Sequence, residues 1–151
     1  MKVFEFKQEQ VLRASLEDIW AFFSTPANLN IITPDNLVFE ITSSSLPQIY
    51  PGQIITYRIE LFPNIKWPWV TEITHVQEGR YFVDEQRFGP YAFWHHKHFF
   101  EAIPEGVQMI DHIHYALPFD PLGRLLHQPI RSKLEQIFSY RFNILEAKYN
   151  T

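Results

Sequence analysis

A chain of 151 residues has the length of one domain, enough to bury a real core and too short for a second catalytic unit. Its 13 Lys and Arg against 17 Asp and Glu give a net charge of −4 with no basic cluster, which argues against a nucleic-acid partner. The absence of cysteine removes disulfides, thiol nucleophiles and thiolate zinc sites, and no run reaches the roughly 20 apolar residues of a membrane helix.

The elements follow from hydrophobic period. Val3 to Arg13 alternates as a first strand, with Phe4, Phe6, Gln8, Gln10 and Leu12 on one face. Ser15 followed by Asp18 approximates a capping box, and Leu16, Ile19, Trp20, Phe22 and Phe23 keep helical spacing up to Pro26. A second short helix or turn covers Pro26 to Asn30. From there the period is two: strands over Leu37 to Thr42, Gln53 to Leu61, Trp67 to Val76, Arg80 to Phe88, Tyr91 to Ile103 and Val107 to Leu117. Ser43, Ser44, Ser45 and Pro47, Pro51-Gly52, Pro63-Asn64, Glu78-Gly79, Gly89-Pro90 and Pro104-Glu105-Gly106 punctuate them.

The last stretch, Pro121 to Tyr149, carries Leu122, Leu126, Ile130, Leu134, Ile137, Phe138, Phe142 and Leu145 at three- and four-residue steps. This is one amphipathic helix. Pro129 interrupts it, biasing Gln128 away from helical angles, so the spacing predicts a lead-in turn over Leu122 to His127 and a main helix from Pro129. A helix this long cannot bury its own stripe. A seven-stranded antiparallel sheet must twist and curl, and its concave side is the natural partner. A helix contacts such a sheet along only part of its length, which leaves a pocket.

Charge sorts the faces of the last hairpin. Odd positions of Tyr91 to Ile103 include His95, Lys97 and Glu101, whereas Trp94, His96, His98, Phe100 and Ala102 carry no formal charge, so the even face points inward. On the next strand Val107, Met109, Asp111, Ile113, Tyr115 and Leu117 face in and Gln108, His112 and His114 face out. The result is a polar island of His96, His98, Asp111 and Tyr115 within aromatic residues. It reads either as a buried hydrogen-bonded network that fixes register, as the polar handles of a ligand pocket, or as a metal or acid–base site, since two histidines at i and i+2 project to one side of a strand. Trp67 and Trp69 share a face and read as core or pocket wall. Gln86 is rim or handle; Arg13, Arg87 and Arg141 read as solvated or ion-paired, and His75 and His127 as surface residues.

These residues carry a resemblance. Trp20-Ala21-Phe22-Phe23, Pro26, Asn28-Leu29 and Ile32-Thr33-Pro34 resemble the SRPBCC superfamily of helix-grip proteins, which includes START lipid-binding domains, pathogenesis-related allergens and polyketide cyclases. Phe82-Val83-Asp84-Glu85-Gln86, Gly89-Pro90-Tyr91, Trp94, His96, His98, Phe100, Asp111, Tyr115 and Leu117-Pro118-Phe119 are similar to the small bacterial cell-division-inhibitor-like group within it. The resemblance spans essentially the whole chain. It implies an α+β helix-grip fold, a seven-stranded curved antiparallel sheet on a long C-terminal helix with two short helices after strand one, while the superfamily's functions range over carriers, cyclases and hydrolases.

The expectation is therefore a single domain over residues 1–151 that binds a small hydrophobic, aromatic or lipid-like molecule between sheet and helix. Trp69, Gln86, Trp94, His96, His98, Phe100, Asp111, Ile113, Tyr115 and Phe138 are the ligand-binding candidates. No residue is assigned as catalytic or metal-ligating, and no cofactor is assigned. The rival readings are a cyclase- or dehydratase-like enzyme using a His–Asp pair, and an accessory domain that touches another protein and has a filled interior. The N-terminal ten residues alternate charge with aromatics and lack an apolar core of signal-peptide length, so the expected compartment is the cytoplasm.

Overall fold

A computed structural model of the chain describes residues 1–35, 37, 39–43, 47–62 and 64–151, with the backbone alone at 61 and 62. The first strand, β1 (Phe4–Leu12), leads into helix α1 (Leu16–Phe23) and a single 3-10 turn, Pro26–Asn30. Ser15 caps α1: its hydroxyl oxygen accepts from the Asp18 amide at 3.1 Å, satisfying one of the amides that a helix N-terminus leaves free. Six further strands follow, β2 (Phe39–Ile41), β3 (Gln53–Phe62), β4 (Ile65–Gln77), β5 (Tyr81–Phe88), β6 (Phe93–Ile103) and β7 (Gly106–Ala116), then a 3-10 turn, Leu122–Leu126, and helix α2 (His127–Tyr149).

All neighbours pair antiparallel in one seven-stranded sheet, ordered β1-β7-β6-β5-β4-β3-β2. The first strand thus returns to the edge of the last, and α2 is fastened to that edge. Gln8 and Gln10 donate from Nε2 to the Phe138 and Phe142 carbonyls at 3.2 and 3.0 Å. Register shifts at Val70/Thr71 and Ile73/His75 mark bulges in β4 against β5, and bulges bend a strand and add twist. Residues of β3 to β6 can therefore face the same side of α2.

Three expectations are corrected in detail. Of the strand expected over Leu37 to Thr42, Phe39–Ile41 is strand and Val38 lies outside the described residues; at the C-terminal end Ser43 Oγ accepts from the Thr56 amide at 2.7 Å and ends the ladder. Ser44, Ser45 and Pro63 of the expected connector and turn lie outside the described residues. Pro129 does not delay α2, which begins at His127 with Gln128 helical; the proline is in the first turn, where its missing amide has no carbonyl partner to lose. Leu122 and Leu126, assigned above to the buried stripe, precede α2 and are 70% and 59% exposed.

The β6–β7 hairpin carries most of the site, and Gly106 sets its turn. Its φ is +140°, and a Cβ there would lie 2.1 Å from the Leu12 carbonyl oxygen. Gly106→Ala should therefore lower stability by more than the about 1–3 kcal/mol that backbone strain alone costs. A urea midpoint that moves by less than half a molar, at unchanged slope, would show that β1 and the hairpin can separate freely.

Candidate functional site

Three apolar clusters make up the core among the described residues, one of them Ile55, Tyr57 and Ile73, and a polar layer lies between the other two. Of these two, one holds Leu12, Phe82, Phe100, Met109 and Leu145; the other holds Phe6, Trp94, Ile113, Leu134 and Phe138. Four strands and α2 each pass from one cluster toward the other, and each places polar groups at the crossing: Gln8 and Gln10 on β1, Asp111 on β7, His96 and His98 on β6, Asp84 on β5 and Arg141 on α2. Register aligns them, with Gln8 opposite Asp111, Asp111 opposite His98, and His96 opposite Asp84. Because side chains alternate along a strand, the inward apolar face of β6 necessarily delivers both histidines to this layer.

The two imidazoles lie between two carboxylates. Asp111 Oδ1 accepts from His96 Nε2 at 2.8 Å and lies 3.2 Å from His98 Nδ1. Asp84 Oδ2 is 2.6 Å from His98 Nε2 and 3.6 Å from His96 Nδ1. The rings are 3.6 Å apart and tilted by 31°; Phe82 stacks on His98 at 4.0 Å and Phe138 meets His96 edge-on at 5.9 Å. All four groups and Arg141 are buried or nearly so.

Burial and pairing compete at every member. Burial alone would push both aspartates up, but the histidine charges and hydrogen bonds hold Asp84 and Asp111 below the usual carboxylate range. The Trp94 indole adds a further hydrogen bond to Asp84. Burial also pulls the histidines down. At His98 the bonds to Asp111 and Asp84 reverse that and raise it, whereas His96 stays lowered, kept down also by its neighbour His98. Arg141 is lowered by burial, against the pull of Asp111 and Asp84. The imidazoles and the Arg141 guanidinium thus face two carboxylates, and that pairing is what makes so much buried polarity tolerable.

The layer opens on one side. Between sheet, α2 and the Pro26–Asn30 turn lies a cavity of about 210 Å³, so the interior is not packed shut. Phe22, Ile55, Ile73 and Trp69 are among its apolar walls, with Tyr57 and Tyr91, whose hydroxyls burial pushes upward and keeps neutral. Asp84, His96, His98 and Arg141 form its polar end.

Of the ten candidates, Trp69, Trp94, His96, His98 and Phe138 line this cavity. The other five do not. Asp111 sits behind the histidines and reaches the cavity through them. Phe100 belongs to one apolar cluster, Ile113 and Tyr115 to the other; the Tyr115 hydroxyl lies 3.1 Å from His127 Nε2. Gln86 braces the β5–β6 loop, donating to the Tyr91 carbonyl at 2.7 Å and accepting from its amide at 3.1 Å, and so positions Tyr91 on the wall.

Other readings shift too. Trp67 is 42% exposed at the start of β4, and His127 stacks on Phe4 at 3.7 Å instead of standing free in water. Arg141, read as solvated, is 7% exposed, with its guanidinium 4.6 Å from the Phe138 ring and its Nε without a hydrogen-bond partner among the described residues. Asp84 and Arg141 are the functional candidates that sequence reasoning missed. The available signal was alternation: Asp84 is two residues from apolar Phe82, and Arg141 falls on the same helical stripe as Leu134, Phe138 and Leu145.

No family model and no curated protein matches the sequence. Solved structures do. The Zhui aromatase/cyclase from Streptomyces sp. R1128 superposes with a TM-score of 0.75 at 8% identity, covering 97% of this chain and 93% of that one. Protein CV1439 from Chromobacterium violaceum gives 0.74 at 13%, covering 97% and 98%. The protein Ara h 8.0201 gives 0.63 at 16%, covering 97% and 99%. The likeness is one of architecture: the chain shares the helix-grip fold of these structures. No helix among the described residues is long and apolar enough to cross a membrane.

Proposed function

We propose that the chain binds a small, flat, largely aromatic molecule with one polar or acidic end, its rings among Trp69, Trp94 and Phe138 and its polar end at His96, His98 and Arg141. The observation that carries this reading is the cavity itself, apolar along most of its wall and charged at one end. Its size narrows the class. An apolar cavity of about 150 Å³ accepts one benzene, so one of about 210 Å³ suits one or two fused rings better than a long acyl chain. Trp69 and Trp94, with centroids 5.4 Å apart at 87°, present a face and an edge to such rings.

Titration with naphthalene-class acids and phenols, read by tryptophan fluorescence and by thermal shift, tests the reading. Saturable quenching with a rise in melting temperature is expected, and Trp94→Leu should weaken binding by about tenfold, the equivalent of one lost aromatic contact. Native mass spectrometry of gently purified protein should also find a retained molecule. A clean apo mass together with no shift across ring and acyl-chain compounds would overturn the reading.

One observation favours a second reading, an enzyme of cyclase or dehydratase type. Two histidines meet the cavity with carboxylates beside them, an arrangement suited to moving a proton on a bound ring precursor. Unchanged turnover of a discovered substrate in His98→Gln would remove that histidine as the carrier.

A further inference from the structure

The two groups that meet the cavity from β6 and the one from β5 have a geometry that hydrogen bonding alone does not require. His98 Nε2 and His96 Nδ1 both approach one oxygen, Asp84 Oδ2, at 2.6 and 3.6 Å, and one atom from each of the three residues lies within 4.8 Å of the others. Donors bound at about 2.1 Å to one first-row metal sit about 3 Å apart when adjacent, between the two measured values. All three residues line the cavity.

The groups behind them complete the pattern. Asp111 is not on the cavity wall, yet its Oδ1 is 2.8 Å from His96 Nε2 and 3.2 Å from His98 Nδ1. Each imidazole can therefore give its rear N–H to Asp111 and turn a bare nitrogen forward. Fixing the ring and its tautomer through a carboxylate behind it is the usual outer-shell arrangement of metal-bound histidine. Two histidines and one carboxylate on one face, with the remaining positions open toward a cavity, make a facial triad, suited to Fe(II), Co(II) or Zn(II) and unsuited to soft Cu(I) or to Ca²⁺.

From this we infer that Asp84, His96 and His98 bind a divalent first-row transition metal, with Asp111 as their positioning residue. The metal takes the place of the proton shared between His98 Nε2 and Asp84 Oδ2. Charge then accounts for Arg141. Two carboxylates against a dication and a guanidinium leave one positive charge, so the open coordination position favours a hydroxide or an anionic oxygen of a ligand. The metal site stands on donor geometry and does not depend on the aromatic-ligand reading.

A second group, Glu5, His112 and His114, lies on the outer face of the sheet. None of its residues lines the cavity, and it supplies the control. Chelator-treated wild-type protein is titrated with CoCl2, followed by visible absorption and by ¹⁵N resonances of the imidazoles, with ZnCl2 as competitor. One equivalent should bind, with d–d bands of an N/O site displaced by Zn²⁺, and the His96 and His98 resonances should be lost to paramagnetic broadening before those of His112.

Asp84→Asn and His98→Gln should reduce affinity at least about 100-fold, and Asp111→Asn by about 10–100-fold. His112→Gln, on the outer face of the sheet, should stay within twofold of wild type. The resonance readout needs no core substitution, so a core variant that fails to fold leaves the test intact. No saturable Co²⁺ binding, or broadening confined to His112 and His114, would overturn the inference.

Discussion

Asp111→Ala should destabilise the chelator-treated protein by about 3–5 kcal/mol, the cost of removing one partner from a buried ion pair. Asp111 is 2% exposed and faces both imidazoles. Its loss leaves His96 Nε2 and His98 Nδ1 without that acceptor and Arg141 with one nearby carboxylate in place of two. Water cannot replace it from behind, since the position lies between Met109 and Ile113 on β7, both buried. Asp111→Asn keeps the volume and one acceptor oxygen while removing the charge, so it should lose less, about 1–3 kcal/mol.

The contrast with a surface pair sets the scale. Arg131 Nε donates to Glu135 Oε1 at 2.9 Å, close to the 2.8 Å of His96 to Asp111, yet Glu135→Ala should cost at most about 0.5 kcal/mol because water takes over. Urea unfolding of the three variants measures all of this. An Asp111→Ala loss no larger than that of Glu135→Ala would mean that the polar layer is wet and carries no ionised network.

The sheet and the helix were legible because they rest on period. Six hairpin-linked strands, the Ser15 cap and the α2 stripe are all local patterns, and they reproduce the observed element order with ends displaced by a few residues. The inward faces of β6 and β7 were equally legible, since Lys97 and Glu101 on one side and Trp94 and Phe100 on the other leave little choice. The same rule hid half of the site. Keeping formal charges in water sends Arg141 to the surface and gives Asp84 no reason to turn inward, whereas Arg141 is buried and Asp84 largely covered in a layer where opposite charges face one another. Such pairing depends on which strands are neighbours across the sheet, and residues 84, 98, 111 and 141 meet only once the chain has folded. Tyr115 shows the converse. It lies on the inward face as expected, but two residues beyond Ile113 the layer has already ended and apolar packing surrounds its ring.

Phe138→Ala is the second large effect, and it acts on fold and cavity together. The ring is 3% exposed, packs on Phe6 at 4.9 Å, meets His96 and carries the Arg141 guanidinium on its face. The Gln8 bond from β1 goes to the Phe138 backbone carbonyl, so an alanine keeps that tether and the loss reports the ring alone. Removing a buried phenyl costs about 3–5 kcal/mol, the lost transfer energy plus that of the void. Because this void joins an existing cavity, the surrounding helix and strands gain little by collapsing into it, and the upper part of that range is expected. The enlarged space should in turn admit a larger ring system. Naphthalene-class compounds should raise the melting temperature of the variant by more than that of wild type, as mass action requires of any ligand bound only by the folded form. A loss below about 1 kcal/mol, with ligand shifts equal in the two proteins, would mean that the Phe138 ring neither seats α2 on the sheet nor walls the cavity.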